Sequence, residues 1–223
     1  VVTPNTPATS TTVVTGGAGT ADLTAYTTGQ KTKMAEGASG VNVLGFKVEA
    51  SDSDIAVNNV KVQVSQITST ESQKITKYID SIDIYKGSTK VGSVDASDLS
   101  RSTSSSIDTY SKTISLSNAV VKEGDKDAFY VKLNAIDTID SDNAGWKLKV
   151  ELLSYRYTDG SGVVSSESFN NIYNANITED TTSDGMTLKS STSNPDDTTV
   201  AVDETSTTDD VLALAFKLKA DTD

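Results

Sequence analysis

The chain of 223 residues contains no cysteine and no histidine. Disulfides, thiolate nucleophiles, imidazole bases and the usual zinc ligands are absent together. Basic residues are outnumbered 19 to 31, and the formal charge of -12 opposes binding to a nucleic acid backbone or an anionic membrane surface. No apolar run approaches the length that spans a bilayer, so no membrane insertion is expected. The opening VVTPNTPATSTTVV lacks the basic and apolar regions of a signal peptide, so the signal of an exported form would have been removed or would lie outside this sequence. A chain free of cysteine suits the cytosol and the exterior equally. The Ser/Thr-rich opening and loops favour an extracellular or cell-surface location.

What is present is a series of short runs with a period of two. In Val41 to Asp54 the residues Leu44, Phe46, Val48 and Ala50 share a face, with Lys47 and Glu49 on the other. Val60, Val62 and Val64 repeat the pattern, as do Ile82 and Ile84 in a hairpin that turns at Lys86 to Thr89. Phe129, Val131, Leu133 and Ala135 share a face, and so do Trp146, Leu148, Val150 and Leu152. Leu153, Tyr155 and Tyr157 then fall one residue out of phase, which calls for a β-bulge or a strand passing between sheets. Helical stripes with caps are missing, although 70–79 and 168–175 have room for a helical turn. Seven to nine short strands predict an all-β fold: an antiparallel immunoglobulin-like β-sandwich with extended terminal strands.

Residues 1–40 form a Ser/Thr/Gly-rich arm or linker with two strand-like pieces, Thr11 to Thr15 and Leu23 to Thr28. Residues 41–180 form the sandwich, and 181–223 are a second linker followed by a strand. That last strand repeats the first one: VLALAFKLKADTD from Val211 matches VNVLGFKVEASDSD from Val41, with Leu214, Phe216, Leu218 and Ala220 in the places of Leu44, Phe46, Val48 and Ala50. So long a period suits a tandem domain better than a solenoid. In a bead-on-string array the lone strand would be weakly held, because an unpartnered apolar edge is unstable in water. In a polymer it would be ordered against another chain.

Several clusters invite chemistry. Asp137, Asp140, Asp142 and Asn143 lie on one loop and are candidate calcium ligands, as are the acids of Ser51 to Asp54, although neither spacing is that of an EF-hand. Calcium is the only cofactor the sequence suggests; Asp in loops otherwise makes Asx turns. Glu123 with Asp125 and Asp127, or Asp203 with Glu204, has the residue types of a glycosidase pair, but among 31 acidic residues such pairs are inevitable. Trp146 with Tyr155 and Tyr157 has the residue types of a sugar-stacking platform, yet Trp146 shares its face with aliphatic residues and reads better as a core anchor. Asn176-Ile177-Thr178 fits the N-glycosylation acceptor, a triplet that also arises by chance.

The runs VLGFKVEASDSDIAVNNVKVQV, YIDSIDIYKGSTKVGSVDASDLS and VVKEGDKDAFYVKLNAIDTIDSDNAGWKLKVEL resemble the β-sandwich domains, often tandem, of bacterial surface-layer and other extracellular structural proteins. The resemblance spans about residues 34–165, rests on strand pattern, and implies an exported structural role without assigning functional residues. The expectation is a non-enzymatic subunit of an extracellular filament, sheath or surface layer, whose partners are copies of itself joined head to tail. Its joints would lie in 1–30 and 205–223, through Val13, Val14, Leu23 and Tyr26 at one end and Val211, Leu212, Leu214, Phe216, Leu218 and Ala220 at the other. The alternative is a binding module, an adhesin or carbohydrate-binding domain, within a longer surface protein.

Overall fold

The computed structural model describes residues 14–67, 72–104, 107–180, 186–194 and 214–220, together with 205 and 212. The chain divides into two compact units, Val1–Asp180 and Thr181–Asp223. In chain order the first unit contains β1 (Gly16–Ala25), β2 (Lys33–Met34), β3 (Val41–Ser53), β4 (Ile55–Gln66), β5 (Ile79–Lys86) and β6 (Thr89–Asp95). It continues with β7 (Ser100–Ser104), β8 (Ile107–Ser115), β9 (Val120–Val121), β10 (Lys126–Ala135), β11 (Lys147–Thr158) and β12 (Val164–Glu179). Among the described residues helical geometry is limited to three single 3-10 turns, Ile75–Lys77, Ala96–Asp98 and Ser141–Asn143.

These strands form a sandwich of two sheets. One has the order β1-β3-β10-β5-β6, and the other β2-β12-β11-β4-β8-β7, with β9 paired to β4. All pairings are antiparallel except the short parallel contact of β2 with β12. The chain crosses from the first sheet to the second at Asp54, between β3 and β4, so each sheet receives one of these two apolar strands.

The period-two faces are inward as their alternation requires. Phe46, Val48, Val60, Val62, Val64, Ile82, Ile84, Phe129, Val131, Leu133, Trp146, Leu148 and Val150 are fully buried in one cluster. The Phe46 and Phe129 rings stack across neighbouring strands with centroids 5.4 Å apart and planes 6° from parallel. The phase change in β11 is a bulge. Its register slips between Leu152 and Ser154 against both β12 and β4, and beyond the slip Tyr155 and Tyr157 point into the core. A similar slip between β3 and β10 passes over Val43, which lets Val43 and Leu44 both be buried.

Three features add to or depart from the expectation. The leader is part of the sandwich, since β1 runs over the glycine-rich stretch and pairs with β3 from Gly16↔Ser53 to Ala25↔Phe46. Residues 168–175 belong to the sixteen-residue strand β12 and form no helical turn. Asp83, whose parity predicts exposure, is buried: Lys90 lies 3.2 Å away, the Ser93 hydroxyl donates at 2.6 Å and the Asn134 amide at 3.2 Å. Burial raises the Asp83 pKa, but those donors outweigh it and hold the carboxyl below its ordinary value.

The Phe46–Phe129 stack lies in the longest-range pairing of the first sheet, β3 with β10. Truncation by Phe129→Ala should lower unfolding free energy by about 3–5 kcal/mol, measured by urea unfolding, whereas Phe129→Leu should cost about 1–1.5 kcal/mol.

Candidate functional site

The C-terminal unit is a hairpin. β13 (Met186–Ser190) pairs antiparallel with β14 (Phe216–Ala220) in a two-stranded sheet. The strand expected to stand alone therefore has a partner, β13, from its own chain on one edge. Val13 and Val211 lie outside the described residues.

The pairing also extends the repeat. In the sandwich, Ala21↔Ala50, Leu23↔Val48 and Ala25↔Phe46 are opposed; in the hairpin, Met186↔Ala220, Leu188↔Leu218 and Ser190↔Phe216 are. Each pair of β13 and β14 thus matches a pair of β1 and β3 in order and register. The correspondence continues past the strands, where the hydrogen bond from Tyr26 N to Gly45 O (3.0 Å) is matched by one from Ser191 N to Ala215 O (3.4 Å). At Gly45 an added Cβ would lie 2.3 Å from Tyr26 O. Ala215 carries that Cβ, and the equivalent bond is longer. Only the β3-to-β14 half of this likeness is visible as residue identity, because β1 and β13 share little but their place.

The two copies differ in what covers them. Leu44 and Phe46 are 3% and 0% exposed, whereas Leu214 and Phe216 are 67% and 54% exposed. β3 has β1 on one edge and β10 on the other; among the described residues β14 is paired on the β13 edge alone. Leu212, two residues before Leu214, is exposed as well.

The N-terminal joint residues are held inside the first unit. Val14 is half-buried, and Leu23 packs on the core. Tyr26 lies against Tyr130, with ring centroids 5.9 Å apart, and under the Lys47 ammonium at 4.3 Å. Leu23 and Tyr26 are thus seated in the chain's own sheet, and carbonyls of β1 accept hydrogen bonds from Tyr155 (to Ala21, 2.6 Å) and Tyr173 (to Leu23, 2.7 Å). Burial raises the pKa of the Tyr155 hydroxyl well above its ordinary value.

The candidate calcium ligands are not brought together. Asn143 is buried, its side-chain oxygen accepting from Ser72 N at 3.2 Å and the Tyr78 hydroxyl at 3.4 Å, while Asp140 lies 3.7 Å from the Lys77 ammonium. Among the described residues no three acidic side chains, Asp137 and Asp142 included, converge as metal ligands. In the Ser51 to Asp54 turn a lysine stands where a cation would: Lys122 Nζ is 2.8 Å from Asp54. Asp54 also accepts from the Thr15 hydroxyl (2.6 Å), Thr15 N (3.2 Å) and Glu123 N (3.1 Å). These contacts, Lys122 first, hold its carboxyl well below the usual range.

Asp159 closes the turn before β12, accepting from Ser161 N and hydroxyl and from Val163 N, and reaches Gly19 N at 3.1 Å. Its pKa too is lowered, chiefly by Ser161. Sequence reasoning missed this role of Asp54 and Asp159. The Asp-Gly-Ser-Gly run at 159–162 carries turn-forming residues, but nothing in it ties the turn to the leader.

The sugar-platform residues are interior. Trp146, Tyr155 and Tyr157 are all buried, with Trp146 against Tyr78 at 5.8 Å between ring centroids. Of the acidic pairs, Asp127 is bound to Lys86 at 2.8 Å, and Asp203 and Glu204 lie outside the described residues. Asn176 is exposed on β12. Among the described residues no helix is long and apolar enough to cross a membrane.

No family model and no curated protein matches the chain. Solved structures do. AvmM, which catalyses macrocyclization in alchivemycin A biosynthesis, matches over 72% of this chain and 88% of its own, with 11% identity and a TM-score of 0.36. BcpA, the major pilin subunit of Bacillus cereus, matches over 77% of this chain and 41% of its own, with 8% identity and a TM-score of 0.22. A second BcpA structure matches over 92% and 54%, with a TM-score of 0.21. The chain thus spans about half or less of the pilin subunit it matches. None of the three assigns an activity or a partner to this chain. The expectation of a non-enzymatic chain is nevertheless withdrawn, because a catalyst stands among its structural neighbours.

Depressed carboxyl pKa values contribute stability that is present above the ordinary carboxylate range and lost as pH falls through it, below about 4. Acidification should therefore loosen the Thr15–Gly19 segment, read as faster amide hydrogen exchange there. Asp54→Asn should lower the melting temperature at neutral pH and flatten its decline in acid.

Proposed function

We propose that the chain is a structural subunit of an extracellular assembly, a filament, sheath or surface layer, in which copies join head to tail through their terminal strands. The observation that carries this reading is the repeated strand: Leu44 and Phe46 of its first copy are buried in the sandwich, whereas Leu214 and Phe216 of its second are exposed. Burying a leucine or phenylalanine side chain is worth about 1.5–3 kcal/mol. A two-stranded sheet by itself is marginally stable in water. Both arguments favour further strands being added to β14.

The seated N-terminal arm changes the form of the joint. β1 is occupied by β3 on one edge and by the Tyr155 and Tyr173 hydroxyls at Ala21 and Leu23 on the other, so the first unit offers a neighbour a surface beyond its leader, and the C-terminal hairpin offers exposed Leu214 and Phe216. Contacts between these two different surfaces need not close, which is the geometry of open growth. The acidic surface, with a formal charge of -12, suits a chain that does not coat nucleic acid.

Electron microscopy and sedimentation of the purified chain test the reading. The full chain should form fibres or sheets, and deletion of residues 181–223 should leave a folded monomer. Assemblies that persist after the deletion, or a full chain that stays monomeric at high concentration, would refute it.

A further inference from the structure

The register that seats β10 on β3 can be carried onto the hairpin residue by residue. In the sandwich β10 opposes Lys126 to Glu49, Ala128 to Lys47, Phe129 to Phe46 and Val131 to Leu44. In β14 and the residues before it, those four places on β3 are taken by Lys219, Lys217, Phe216 and Leu214. Three keep their character. The fourth is reversed in charge, lysine for glutamate.

We infer that the open edge of β14 is the seat of an antiparallel strand of β10's pattern from a second sandwich of the same kind, and that this strand is acidic where β10 has Lys126. The apolar half of the argument is the exposure of Leu214 and Phe216 beside the burial of Leu44 and Phe46 under β10. The polar half is the ion pair of Lys126 with Glu49 at 2.8 Å. In the same register on β14 that lysine would stand opposite the position of Lys219, and like charges directly opposed across a sheet are destabilising. An acidic residue there restores the pair with its signs exchanged.

The exchange also sorts strands. β10 is drawn to β3, with Glu49, and is disfavoured on the otherwise equivalent β14, so neighbouring sandwiches are kept from trading central strands while they fold. Opposite Lys217 the small Ala128 position imposes no charge rule, which leaves the Lys126 position to discriminate. The inference shares its edge with the assembly proposed above but not its outcome, because a chain that never assembles would still bind such a strand.

Two synthetic peptides covering residues 122–135, one unchanged and one carrying Lys126→Glu, can be titrated into the full chain with amide hydrogen exchange and NMR as readouts. The Lys126→Glu peptide should protect amides in 214–220 and bind about fivefold more tightly than the unchanged peptide, with the difference shrinking as salt is raised. Phe216→Asp, a change confined to the second unit, should abolish the protection. Absence of protection with both peptides, equal affinity of the two, protection on β1 or β12 instead, or protection that survives Phe216→Asp would each overturn the inference. Fibres formed by a chain that binds neither peptide would overturn it while leaving the assembly reading intact.

Discussion

An apolar strand in water needs cover for its face and a partner on each edge, and the molecule turns on which strands obtain all three. β3 obtains them: β1 and β10 flank it, and Leu44, Phe46 and Val48 are buried in the core shared with the second sheet. β14 has the same alternation and the same kind of neighbour on one edge, but Leu214 and Phe216 are exposed. The two strands are nearly one sequence in two environments. Their difference is the physical basis for reading the C-terminal unit as unfinished by itself.

The other end of the molecule shows how polar groups fix what apolar alternation leaves open. The leader holds few large apolar residues, and its position is determined instead by acceptors and close approaches. Asp54 and Asp159 receive hydrogen bonds from Thr15 and Gly19, and the Ser53 hydroxyl accepts one from Gly160 N at 2.7 Å. A Cβ at Gly19 would lie 2.6 Å from the Ser53 side chain, and one at Gly160 2.6 Å from Thr15 O. Glycine is needed at both because the chains pass too closely for any side chain. Acidic residues used in this way are tied to Lys122 and to backbone amides. Asp54, which the sequence alone would offer to calcium, is neutralised by Lys122 in this way.

A β-sandwich is an architecture on which unrelated functions sit, so the fold by itself assigns none. What distinguishes this chain is local: a repeated strand pair, one copy of which is covered. Large aromatic side chains that might have served a ligand are committed to packing, with Trp146 against Tyr78 and Tyr155 stacked on Tyr157 and Phe169.

The sequence by itself determined the strands and their inward faces, because a period of two is a local property of the chain: Val60, Val62 and Val64, or Trp146, Leu148 and Val150, had one face to bury. It also located the bulge in β11, since the phase change at Leu153 is written in residue order. Tertiary structure decided the rest. Whether the glycine-rich leader joins the sheet depends on Asp54, Asp159, Tyr155 and Tyr173, which lie far along the chain and reach it only after folding. That β13 is the counterpart of β1 follows from register and not from residue identity, because backbone hydrogen bonds between strands are indifferent to most side chains.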